Sequence, residues 1–435
     1  MNMRDLPAAE RNVVIVGGGF AGTNLAKALQ HRLPSDYRVV LLSEESYTTF
    51  NPMLPEAVGA SVFPEHVVAP LREVLDIRMG SRFVMGHVTW VDCAAKTLAC
   101  TTLAGPLTLA YEHLVFAFGN RARTDFLPGM EAHALPLKTI GDALEIRNTV
   151  LRRLARIELE SDPAERAALG HFVVIGGGFS GVEVAGELVD YIRSARRYYP
   201  GVGADETRVT IVQDIDRLLP ELPASLGDAA QRSLAARGVV IRLGARAAEI
   251  DEDGVRLTAG DRLRAATVIC TIGTKPNALV AALGLPAERG RIVVQPDLSV
   301  AGVSGAWAAG DCAQVVNAED GKVSPPTAQF AVRQARWLAR NILATIASEP
   351  TTPFRYRSRG SMAGIGHLNG VAEVFGIRLT GLPAWLLWRA YYLSQMPTLE
   401  RKVRIYVEWT WGMFFPVDIT HLRFTRSRDA EKATV

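Results

Sequence analysis

Short unbroken apolar runs recur along the chain, at residues 13–16, 37–42, 111–119, 171–175, 208–212, 239–243 and 267–271. Runs of this length bounded by glycines and polar turns predict buried strands. Between them, helix-period stretches cover 23–33, 137–160 and 182–195, so strand and helix alternate as in an α/β fold. Residues 82–91, 97–102 and 107–109 predict shorter strands, a buried strand ends at 309–311, and a further helix begins after Thr327, a residue type suited to its N-cap. The Arg- and Leu-rich helix over 137–160 is expected to turn its charges to solvent.

The strand at 13–16 runs straight into Gly17, Gly19, Phe20, Ala21 and Gly22, and the strand at 171–175 runs into Gly176, Gly178 and Gly181 in almost the same string. One such turn is weak evidence. Two, each with a strand before and a helix after, predict two dinucleotide sites. The first glycine of each allows the tight turn, the second lets backbone approach a pyrophosphate, and the third lets the helix pack close on its strand. The phosphates would lie at the helix N-terminus, where free N–H groups and the helix dipole favour anions. About 20 residues on, the fingerprint places an acid for the ribose hydroxyls. In the first half that position is Ser43, with Glu44 and Glu45 following, and Glu44 is the candidate contact. In the second half it is Gln213. An amide does not repel a 2′-phosphate as a carboxylate does, so NADPH is not expected to be strongly excluded. On the second helix, Glu183 and Glu187 share a face at i, i+4 spacing.

Composition narrows the class. The 435 residues suffice for two or three domains, and 48% hydrophobic content supports a sizeable core. A net charge of +3 gives no case for nucleic acid. The mean hydropathy of +0.11 is high enough to prompt a search for membrane spans. No apolar run approaches the ~20 residues a spanning helix needs, and residues 1–10 lack the apolar core of a secretory signal. Cys93, Cys100, Cys270 and Cys312 are widely spaced with no CxxC, which argues against a zinc site and against a redox-active disulfide. No metal is expected.

From residue 378 the texture changes. Trp385, Trp388, Tyr391, Tyr392, Trp409, Trp411, Phe414 and Phe415 are interleaved with Arg389, Arg401, Lys402 and Arg404, and Pro383, Pro397 and Pro416 break the stretch into short helices. Aromatics on one side and cations on the other fit helices lying in a bilayer interface. The alternative is a hairpin packed on the protein or forming a dimer interface.

Together the two glycine turns, the Ala309-Gly310-Asp311 strand end, the segment from Pro325 through Ala328 and Gln329 to Gln334, the stretch from Tyr356 to Gly366, and the Trp385–Trp388 region resemble the type II NADH dehydrogenases, single-subunit NADH:quinone oxidoreductases. The resemblance extends to about Leu422. It implies two Rossmann-like domains and a membrane-associated helical segment. The expected boundaries are 1–135 and 291–377 for the two parts of the FAD-binding domain, 136–290 for NAD(P)H, and 378–435 for the anchor. FAD would be held by the first turn, by Ala117 and Gly119, by Gly310 and Asp311, and by a loop at 47–56 covering the flavin. NAD(P)H would be held by the second turn, Gln213 and Gly273. Ala328 and Gln329 would line the quinone end of the flavin and Glu183 its ring. The resemblance further implies a homodimer and a peripheral protein on the cytoplasmic face of the cell membrane. Two departures stand out, Ser43 in place of an acid and Phe330 in place of a smaller or polar residue. The rival readings are a flavoprotein reductase of another acceptor such as ferredoxin, and a nucleotide-sensing flavoprotein acting through a partner. A sulfide:quinone reductase is disfavoured by the lack of a cysteine pair.

Overall fold

The computed structural model describes residues 11–76 and 80–422, so the ends of the expected 1–135 and 378–435 segments lie outside the described residues. The chain divides into two units.

The first unit comprises residues 11–50, 68–122 and 274–358. Its sheet has the order Ala306–Ala308, His113–Phe116, Arg11–Val16, Tyr37–Ser43, Arg82–Asp92, Thr97–Thr102, Gly105–Ala110. Pairing is parallel as far as Arg82–Asp92 and antiparallel beyond it. Val13, Val14 and Ile15 are fully buried, as a central strand covered on both faces requires. The helices Phe20–Leu29 and Ala328–Ile346 pack together on this sheet, and Leu25, Leu29, Leu338 and Ile342 join one core with the strands. A short strand, Thr274–Pro276, pairs antiparallel with Asn120–Ala122.

The second unit comprises residues 51–67, 123–273 and 359–422. Its parallel sheet has the order Ala134–Pro136, Thr267–Cys270, His171–Ile175, Arg208–Val212, Val240–Arg242. The helix Ile140–Leu159 starts at a capping box, where Thr139 accepts from the Asp142 N–H and Asp142 accepts from the Thr139 N–H. Not all of its charges face solvent as expected. Arg147 is 1% exposed, and its neighbour Asn148 exchanges two hydrogen bonds with the Leu422 backbone. The sheet Gly360–Gly364, Gly370–Val374, Ile377–Thr380 leads to the helices Leu382–Gln395 and Leu399–Trp411.

Residues 51–67 carry the short helix Leu54–Val58, which packs on Ile140–Leu159 and on the second glycine-turn helix, Phe179–Ala195. The strand Gly360–Gly364 packs on Phe179–Ala195 as well. Both segments thus pack on helices of the second unit.

Candidate functional site

In the first unit the glycine turn is built as its spacing demands. Gly17 has φ +115°, and a side chain there would run into the Ala117 carbonyl. A side chain at Gly22 would overlap the Gly17 carbonyl oxygen, which is why the helix can approach so closely. Gly19, at the N-cap of Phe20–Leu29, has no protein atom within 4 Å of where a Cβ would stand. That open cradle before a helix N-terminus fits a dinucleotide pyrophosphate. Gly310 enters from the other end of the sequence. It adopts φ +76°, a Cβ there would stand 3.2 Å from Ala21 Cβ, and its N–H donates to Gln334 Oε1 at 2.8 Å. Asp311 follows in the same short turn, Gly310–Cys312. The Cys312 thiol, pushed up to about 12 by burial, lies against backbone at Phe118 and Gly119. Phe20 meets Phe50 edge-on at 5.5 Å. The structure thus gathers Gly17, Gly19, Phe20, Ala21, Gly22, Ala117, Gly119, Gly310 and Asp311 at one end of one sheet. Gln334, buried in the helix interior, was missed in the sequence because its role is to hold the Gly310 backbone.

Glu44 is held by two neighbours, with Arg121 Nη2 at 2.5 Å and His87 Nδ1 at 2.9 Å. These bonds hold its carboxyl below the ordinary value even though partial burial opposes them. Ser43 is the residue against the turn, with its Oγ 2.8 Å from where a Cβ on Gly18 would be.

The second turn repeats the first within the second unit. A side chain at Gly181 would strike the Gly176 carbonyl, and Gly178 is open but for Glu221 at 3.6 Å. Gln213 is buried, and its Oε1 accepts from the Gly177 N–H at 2.7 Å. Gly273 adopts φ +82° near Arg123.

The helix Ala328–Ile346 begins as predicted, with the Thr327 hydroxyl accepting from the Phe330 N–H. Ala328 and Gln329 are half-buried in its first turn. Gln329 Nε2 donates to the Tyr356 hydroxyl at 2.8 Å, Phe330 meets the same ring edge-on at 5.2 Å, and Arg333 lies over it at 5.5 Å. Tyr356 therefore fixes the Gln329 amide, and Phe330 is accommodated as part of that aromatic support.

Glu183 lies in a buried group within the second unit. Its Oε1 accepts from the Gly364 N–H at 3.1 Å, and it is 9% exposed. Burial raises its pKa to about 8, with the Gly364 hydrogen bond opposing. One turn on, Glu187 is buried too and is raised by the same cause. Glu56, from the short helix Leu54–Val58, completes the group. Here the sequence expectation for the C-terminal helices is corrected. Arg389 does not face outward, and Trp385, Trp388 and Trp409 are buried. Arg389 lies 3.7 Å over Trp385 and 4.6 Å from the Trp409 ring centre, with Nη2 3.5 Å from Glu56 Oε1. A buried carboxylate drew the cation inward, and the aromatic rings cover the pair. The outward residues are Leu386, Leu399, Val403, Tyr406, Val407 and Trp411, with Phe414 and Phe415 beyond. Among the described residues no helix is long and apolar enough to cross a membrane.

Residues 11–335 match the pyridine nucleotide-disulphide oxidoreductase family and residues 358–416 match the NDH2 C-terminal domain. The chain is 31% identical over 426 residues to the type II NADH:quinone oxidoreductase NdhA of Mycobacterium tuberculosis, covering 93% of this chain and 87% of the relative. It is 29% identical over 424 residues to Ndh of the same organism, covering 93% and 88%. The fold is similar to that of NDH2 from Plasmodium falciparum, solved in complex with NADH, with a TM-score of 0.86 at 19% identity over 94% of this chain and 100% of that one.

Proposed function

The chain belongs to the type II NADH:quinone oxidoreductases, within the pyridine nucleotide-disulphide oxidoreductases, and on that premise we propose that it oxidises NADH with bound FAD and reduces a membrane quinone without pumping protons. The observation that carries the reading is the pair of glycine cradles, one in each unit, in a chain that ends in an NDH2 C-terminal domain. Bound FAD supplies the redox chemistry, accepting hydride from NADH and passing two electrons to quinone.

The protein's own groups bind, orient and hold protons. Gly17, Gly19, Phe20, Ala21, Gly22, Ala117, Gly119, Gly310 and Asp311 hold FAD, with Gln334 fixing Gly310. Ser43, Glu44 or Glu45 contacts its ribose, Glu44 being tied to Arg121 and His87. Gly176, Gly178, Gly181, Gly273 and Gln213 hold NADH, and with no carboxylate at 213 NADPH is not strongly excluded. In this reading 1–135 and 291–377 are the FAD-binding parts, 136–290 is the NAD(P)H-binding part, and 378–435 is the anchor. Gln329, fixed by Tyr356, and Ala328 orient quinone, and Glu183 is a carboxyl that stays protonated at neutral pH. The exposed apolar face from Leu386 to Phe415 docks on the cytoplasmic face of the cell membrane, and the enzyme is a homodimer.

Stopped-flow flavin absorbance tests this reading on the holoenzyme. Mixing with NADH should bleach the flavin, and a short-chain quinone should restore it rapidly. Bleaching with no faster recovery on quinone than on air would remove the quinone and leave a reductase of another acceptor.

A further inference from the structure

Three carboxyls and one guanidinium share the interior of the second unit, and their charges do not balance. Glu56, Glu183 and Glu187 line a cavity of about 10 Å³ with Pro52, Gly364 and Trp388, room for a single water molecule. Arg389 is the cation against them, and its Nε has no hydrogen-bond partner among the described residues. Other ionisable groups stand around these four. Asp190 is bonded to Arg237 at 2.7 Å, and Glu408 to His66 at 2.7 Å. Arg401 is bonded to the Glu65 carbonyl at 2.6 Å. His367 lies beside Asp190 and Arg237, and Tyr392 beside Glu183. No group of side chains among the described residues could hold a metal ion here. Three buried carboxylates cannot share one cation, so protons must neutralise the remainder.

The geometry further singles out Glu187. Arg389 and the Trp409 Nε1–H, 3.1 Å from Glu56 Oε2, both engage Glu56. Glu187 has no comparable cation, and its partner is the Ser61 hydroxyl, with Oγ 2.9 Å from Glu187 Oε2. Ser61 is only partly buried, whereas Glu187 is buried. A hydroxyl both donates and accepts, so this contact joins a buried carboxyl to solvent. Gly59 keeps the contact open, since a side chain there would overlap Glu187 Oε2.

We propose that Glu187, with Glu56 and Arg389 setting its charge, is a proton-holding site of the enzyme, loaded from solvent through Ser61. Resting on the function proposed above, it supplies the one proton taken up when NADH, H⁺ and quinone become NAD⁺ and quinol. Loading is a relay. A proton from hydronium adds to Ser61 Oγ as the hydroxyl hydrogen passes to Glu187 Oε2, so water is released and the serine is regenerated.

Infrared spectroscopy of the oxidised holoenzyme at neutral pH tests it with no substrate present. Glu187→Gln should remove intensity from the protonated-carboxyl C=O band, and Arg389→Met should add to it, because Glu56 then takes up a proton. Ser61→Ala should keep the band but slow its shift in D₂O by about tenfold or more, the scale of a lost proton relay, and Ser61→Thr should restore the rate. An unchanged band in Glu187→Gln, or exchange in Ser61→Ala as fast as in the wild type, would overturn the proposal. In turnover, Ser61→Ala should lower kcat with quinone and enlarge the solvent isotope effect without raising the KM for NADH. A wild type with no quinone turnover would sink the functional reading, yet leave the infrared result to decide the proton site by itself.

Discussion

Gly19 and Gly22 are three residues apart, but the structure gives their replacements opposite consequences. A methyl on Gly22 meets the Gly17 carbonyl, whereas one on Gly19 meets no protein atom. Gly22→Ala should therefore misfold the turn and lower the melting temperature. Gly19→Ala should fold normally and be purified without flavin colour, and full flavin occupancy in it would refute the cradle. Gln213 invites a similar test, because Gln213→Glu keeps an acceptor for the Gly177 N–H while adding charge. Its kcat/KM for NADPH should fall about tenfold or more relative to NADH, equivalent to about 1.4 kcal/mol, and an unchanged ratio would place the 2′-phosphate elsewhere. Glu183 makes stability depend on pH. It holds its proton up to about 8, against an ordinary 4.5. Between those values the native state keeps a proton that the unfolded chain has lost, so stability falls as pH rises, by about 1.4 kcal/mol per pH unit for such a group. The melting temperature of the wild type should drop across that window relative to Glu183→Gln, and parallel profiles would show the carboxyl to be ionised.

At the level of elements, the glycine turns, their strands and the Thr327 cap were legible because each is written in a few consecutive residues. The site between Glu56 and Arg389 was not. Pro55-Glu56 reads as the end of a flavin-covering loop and Arg389 as one of several cations among aromatics, and only tertiary packing shows that each is buried for the other. Gly59 went unnoticed for the same reason, since its open side matters only once Glu187 stands opposite. Gly59→Ala should cost stability of the order seen for overpacked cores, about 1–3 kcal/mol. Relative to Ser61→Ala it should displace the Glu187 carboxyl as well as slow its exchange. A melting temperature equal to that of the wild type would mean the helix Leu54–Val58 shifts freely.

At the scale of the whole molecule, the C-terminal helices have two faces with different duties. Trp385, Trp388, Arg389 and Trp409 cover the carboxyls, while Val403, Val407 and Trp411 are more than half exposed. Deleting residues 378–435 would strip both faces at once and is a poor test of membrane binding. Replacing Val403, Val407 and Trp411 together by serine should abolish sedimentation with anionic lipid vesicles while NADH still bleaches the flavin, and undiminished sedimentation would assign that face to another partner. The covering face also bears on how the protein is made. Glu56 and Trp409, joined by a hydrogen bond, are 353 positions apart, so during synthesis the acid emerges long before the aromatic cover and the arginine that neutralises it. Until the helix Leu399–Trp411 is released, the second unit cannot close over its carboxyls, and a chain stopped short of Arg389 must leave them in water. Release of that helix thereby becomes a checkpoint on the folding of a segment that began near residue 51.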